Sequence, residues 1–121
     1  MTKKILILLS ISLFTLGCSE KPKINPNELP IAYVGQPYSQ DIIITGGSVI
    51  GHQLQLNTNF PNDMGISFNN IKDDNDDIYA NNHLTISGTA KYKGIYKIKI
   101  STMFYGGKGK YLEKEYLFTV Q

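Results

Sequence analysis

The segment YKIKIS puts Tyr96, Ile98 and Ile100 on one side and Lys97, Lys99 and Ser101 on the other. A side-chain period of two belongs to an extended chain with one dry face and one wet face, because successive Cβ atoms point to opposite sides of a strand. The pattern recurs along the chain. Tyr38, Gln40, Ile42 and Ile44 alternate with Ser39, Asp41, Ile43 and Thr45. Leu54 and Leu56 alternate with Gln53 and Gln55. Met64, Ile66 and Phe68 share a side, as do Leu84 and Ile86, and as do Tyr116, Phe118 and Val120. After residue 28 no window of a dozen residues has helical periodicity. Glycine, proline and acidic clusters separate the runs: Gly46 to Ser48, Phe60 to Asp63, Asp73 to Asp77, Ser87 to Ala90 and Gly106 to Gly109 read as turns. About seven short strands with regular turns predict an all-β fold, a single antiparallel two-sheet sandwich. Tyr96, Ile98, Ile100 and Phe118 are its expected central core.

The N-terminus has a different character. Lys3 and Lys4 precede an apolar run from Ile5 to Leu16. That run is too short for a bilayer, which needs about 20 residues, and fits the apolar region of a cleaved secretory signal. Cys18, the only cysteine, follows at once. The stretch Thr15-Leu16-Gly17-Cys18 resembles the bacterial lipobox, with Gly before the cleaved bond and Cys after it, although Thr15 stands where a leucine is usual. The resemblance implies a signal peptide over residues 1–17, lipid attachment at Cys18, and anchorage in a membrane of the cell envelope. Ser19, in place of the Asp that retains enterobacterial lipoproteins at the inner membrane, implies the outer membrane, facing the periplasm or the surface.

Charge fits the same division. Twelve lysines and no arginine stand against ten acids, a net charge of +2, and two of those lysines lie in the signal. The remainder is neutral, which gives no argument for nucleic-acid binding. Residues 18–28, rich in proline and polar side chains, read as the lipidated cysteine and a flexible tether reaching roughly 30 Å. Residues 29–121 form the single domain, free of disulfides.

Several short motifs, taken in order, resemble the immunoglobulin-like, cadherin-related domains of bacterial surface proteins: Val34-Gly35-Gln36-Pro37-Tyr38, Gly46-Gly47, Phe60-Pro61 with Gly65-Ile66, Leu84 to Ala90, Gly94-Ile95-Tyr96, and Phe118-Thr119-Val120. The resemblance implies an immunoglobulin-like sandwich. Two departures stand out. Ala90 replaces a usual proline, and Phe104 and Tyr105 stand where many cadherin-like members carry an Asp.

Chemistry-bearing motifs are sparse. Asp73, Asn75 and Asp77 have calcium-loop spacing, but Ile78 and Leu84 occupy the places of the required Gly and Glu, so a solvated acidic loop is expected and no metal or other cofactor. His52 and His83 lie far apart, each at the start of an expected strand. The run Gly106 to Lys110 lacks the flanking residues of a phosphate loop. Its bland reading is a hairpin tip. Its functional reading is a basic, aromatic loop in which Tyr105, Lys108, Lys110 and Tyr111 meet a partner. Lys91, Lys93, Lys97 and Lys99 form a ladder read as protection against edge pairing. The expectation is a lipid-anchored, non-catalytic envelope module, attached to the membrane by its lipid and recognising a protein or glycan. The alternative is a small periplasmic inhibitor or immunity protein that blocks a hydrolase with a loop.

Overall fold

A computed structural model describes residues 21–70, 82–106 and 109–121. The described chain forms seven strands: β1 (Lys23–Asn25), β2 (Pro37–Thr45), β3 (Gln55–Thr58), β4 (Ile66–Asn70), β5 (His83–Thr89), β6 (Gly94–Met103) and β7 (Tyr111–Val120). They form a four-stranded sheet in the order β1-β2-β5-β4 and a three-stranded sheet in the order β3-β6-β7. Every strand pair is antiparallel. Four strands facing three in this order is the arrangement of a constant-type immunoglobulin sandwich.

The period-two faces close on one another. Ile42, Leu84 and Ile86 from the larger sheet and Ile98, Ile100, Tyr116, Phe118 and Val120 from the smaller are buried together. Ile98, Ile100 and Phe118 are wholly buried, as expected. Tyr96 is half-buried at the core's margin, because its hydroxyl needs acceptors and donates to the carbonyls of Tyr92 (3.1 Å) and Lys93 (2.9 Å). Phe60, read from sequence as part of a turn, closes that end of the core. Its ring meets Tyr96 edge-on at 5.6 Å, stacks on Phe68 at 6.3 Å and tilts against Phe118 at 5.6 Å. Ser87 to Ala90, read as a turn, instead completes β5 as far as Thr89. Glycine is required there, because Gly88 has φ +132 and a Cβ on it would strike the Gly65 carbonyl oxygen of β4's approach.

The tether is shorter than expected. Lys23–Asn25 pairs with Ile43 to Thr45 and adds a seventh strand to the six runs visible as alternation. The chain from 26 to 34 then crosses to the other sheet. Tyr116 donates its hydroxyl to the Pro26 carbonyl (2.6 Å), Tyr38 donates to that of Pro30 (3.1 Å), and Ala32 bridges in parallel to Val120. Ile24 and Leu29 pack against the core. Residues 23–28 are therefore part of the sandwich.

The lysine ladder also reads differently. β6, which carries Lys97 and Lys99, is the middle strand of its sheet, so these lysines guard no edge. They face acids on β7: Lys99 Nζ lies 3.1 Å from Glu113 and Lys97 Nζ 3.9 Å from Glu115.

Candidate functional site

One end of the sandwich gathers the connection after β2 and the turn between β6 and β7. Beneath them sits a second, small core of Ile44, Val49 and Phe104. Val49 and Phe104 form an antiparallel bridge, Tyr105 N–H donates to the Ser48 carbonyl (2.9 Å), and Ile50 N–H donates to that of Met103 (3.0 Å). Burial of Phe104, next to the glycine-rich turn, thus fixes where Tyr105 emerges.

Asn82 ties this end together. Its side-chain oxygen accepts from Val49 N–H (2.9 Å), and its amide donates to the carbonyls of Ile44 (2.8 Å) and Gly47 (2.7 Å). The residue is 6% exposed. One bond to the end of β2 and two to the loop after it satisfy backbone groups that burial would otherwise leave unpaired. Asn82 escapes a motif-based reading, because a lone Asn beside an acidic run looks like any loop residue.

Of the four expected partner-loop residues, Tyr105 and Tyr111 stand in solvent, 58% and 54% exposed. Lys110 turns inward, and its Nζ donates to the Gly46 carbonyl (3.2 Å), bracing one loop on the other. Lys108 lies outside the described residues, as do Cys18 and the acidic stretch Asp73 to Asp77. Tyr111 starts β7, and its hydroxyl donates to Glu113 Oε1 (3.2 Å). The same carboxylate is bonded by Lys99 (3.1 Å). That hydrogen bond and the opposed charges raise the Lys99 pKa. The Lys99 bond and charge, with the Tyr111 bond, hold the Glu113 carboxyl below the usual carboxylate range.

Neither histidine takes part in the contacts described above. His52 lies in a short 3₁₀ turn, Gly51–Gln53, before β3 rather than at the strand's start, because the strand begins only at Gln55. His83 opens β5 on the outer face of the larger sheet, where Nε2 lies 3.7 Å from Asp41 Oδ2. Thr85 donates to the other oxygen of that carboxylate (3.1 Å).

The comparisons with known proteins follow the fold. No protein-family model matches the chain, and no curated protein matches it in sequence. Among solved structures it is similar to the SrpA adhesin from Streptococcus sanguinis, with a TM-score of 0.58 and 16% identity over 89% of this chain and 60% of that one. A mutant of the same adhesin gives a TM-score of 0.51 at 13% identity, over 86% of this chain and 57% of the other. An S-layer protein gives a TM-score of 0.50 at 11% identity, over 84% of this chain and 13% of that protein's. The chain thus spans less than two thirds of each. At these identities the likeness establishes the β-sandwich that they share.

Proposed function

We propose that the protein is a lipid-anchored, non-catalytic binding or adhesion module of the bacterial cell envelope, held at Cys18 and recognising a protein or glycan. The observation that carries this reading is the pair of exposed tyrosines, Tyr105 and Tyr111, at an end fixed by Asn82 and the Phe104 core. An exposed tyrosine supplies flat apolar area with a polar tip, and little entropy is lost when its support is already rigid. The architecture shared with a surface adhesin and an S-layer protein supports an envelope setting.

The short tether adds a constraint. β1 enters at the Tyr105 end, since Lys23 lies opposite Thr45, next to Gly46. Only five peptide steps separate Cys18 from Lys23, about 17 Å when fully extended. In the anchored protein the loop end lies close to the bilayer, and its partner is one met at the membrane surface. Two measurements test the proposal. Cys18→Ser should abolish metabolic labelling with palmitate, and unchanged labelling sinks the anchor. Tyr105→Ala with Tyr111→Ala should reduce by at least tenfold the retention of an envelope protein or glycan captured by the wild type. Undiminished capture by a folded double variant removes the loop from the proposal.

A further inference from the structure

We infer that the free edge of β7 is a docking site for an extended peptide carrying basic residues at alternate positions. The inference rests on the binding-module reading only in supposing that the module has a partner; its site, ligand and test are separate from the tyrosine loop.

Two independent sets of hydrogen bonds fix which backbone groups lie on that edge. Ala32 N–H donates to the Thr119 carbonyl, Gln121 N–H donates to that of Ala32, and Val34 N–H donates to that of Gln121 (each 2.9 Å). Thr119 and Gln121 therefore point away from β6. On the far side of β6, the N–H of Lys97 donates to Asn59 Oδ1 (2.8 Å), and its carbonyl accepts from Asn59 N–H (3.4 Å). The odd residues of β6 thus turn toward β3 and its even ones toward β7. With Ile98 opposite Tyr116 and Ile100 opposite Lys114, the even residues of β7 pair with β6. Glu113, Glu115 and Leu117 present N–H and C=O outward. The described chain bonds this edge backbone to backbone from Thr119 onward, and before that Asn27, Glu28 and Leu29 stand across a groove from it.

The edge opens into a groove of about 460 Å³. Asn27, Glu28 and Leu29 form one wall; Glu115, Leu117 and Thr119 of β7 lie on the other. A strand laid along β7 at ordinary sheet spacing would satisfy the outward groups, the chemistry of β-strand addition. Charge selects the occupant. On the β6 side, Glu113 and Glu115 face Lys99 and Lys97. On the open side the described cation that lines the groove, Lys114, is engaged with Asn27 Oδ1 (3.1 Å) and lies over the Tyr116 ring. Within the groove Glu28 adds its carboxylate to that of Glu115. A second copy of β7 laid antiparallel across Glu115 would set like charges opposite one another, which is unfavourable. A strand with Lys or Arg at two alternate positions and an apolar residue at the third meets Glu113, Glu115 and Leu117, repeating on the open side what β6 does on the closed one.

The test uses the protein as purified from the expressing bacterium, with two acetylated heptapeptides of threonine and valine, one carrying lysine at two alternate positions with valine at the next alternate position and the other carrying glutamate in place of those lysines. Calorimetry should show binding of the lysine peptide at least tenfold tighter than the glutamate peptide. Amide exchange at Glu115 and Leu117 should slow at least tenfold when it binds. Leu117→Pro removes an outward N–H without touching the bonds to β6, a change edge strands tolerate, and should abolish binding. If that variant is unstable, N-methylation of alternate peptide residues makes the same point from the ligand side. Glu113→Lys with Glu115→Lys should invert the preference between the peptides. The inference is overturned by an absence of binding, by binding without new protection on β7, or by full binding of the N-methylated peptide.

Discussion

The two ends of the sandwich are held by different physics. At one end Tyr38, Phe60, Phe68, Tyr96 and Phe118 meet ring to ring, with centroids 5.1–6.3 Å apart. At the other, a three-residue apolar patch is supplemented by the directed bonds of one asparagine. Burial of rings is non-directional and tolerates small shifts, whereas a side chain that bonds the end of β2 and two points of the following loop sets that loop's position by directed bonds. The aromatic end supplies stability, and the asparagine end supplies a defined loop position.

The sharpest way to break this contrast is at the aromatic end. Phe118→Ala removes a wholly buried ring that touches Tyr38 and Phe60. It should cost about 3–5 kcal/mol, much of the 5–10 kcal/mol expected of so small a domain. Denaturant unfolding should show the midpoint fall with both loops still native until the global transition. Asn82→Ala leaves Val49 N–H and the Ile44 and Gly47 carbonyls without their partner, at roughly 1–3 kcal/mol for each group that water cannot reach. Its mark is local: amide exchange should accelerate at Val49 and Tyr105 before β6. If exchange in that variant rises evenly over the whole chain, Asn82 is not a loop-specific tie.

A third comparison is with the crossing segment 26–34, which depends on two tyrosine protons. Burial raises the pKa of both Tyr38 and Tyr116 to about 12, and each donates its hydroxyl to a carbonyl of this segment. The unfolded chain loses these protons near pH 10, so the tyrosines' stabilisation is complete below pH 10. It is lost as pH rises from 10 to 12. Thermal melts should be level up to pH 10 and fall above it, and Tyr116→Phe should flatten part of that fall. The smallest effect is expected at Lys97→Ala. Its partner Glu115 is 3.9 Å away and both side chains are more than half exposed, so stability should change by less than about 0.5 kcal/mol.

How much of this was legible in the sequence follows from where each element gets its stability. Strands β2, β5, β6 and β7 carry their own alternation, and their buried faces are those the sequence implies. β1 carries almost none. KIN has one aliphatic residue, and its pairing is decided by the free edge of Ile43 to Thr45, which lies 20 residues away in the chain. The same logic hid Asn82, whose role exists only because the folded chain brings Val49, Ile44 and Gly47 around it. Tyr105 and Tyr111 were legible as turn aromatics. The inward reach of Lys110 was not, because its acceptor, the Gly46 carbonyl, sits on a distant loop.

The most direct test of the whole account is residue-resolved amide exchange along β7 in the free protein. The register requires slow exchange at Leu112, Lys114, Tyr116 and Phe118, whose N–H groups bond to β6, and fast exchange at Glu113, Glu115 and Leu117, whose N–H groups face the open edge. That two-residue rhythm of protection is the predicted result. Uniform protection along the strand, or a rhythm displaced by one residue, would contradict both the pairing of the sheet and the free edge drawn from it.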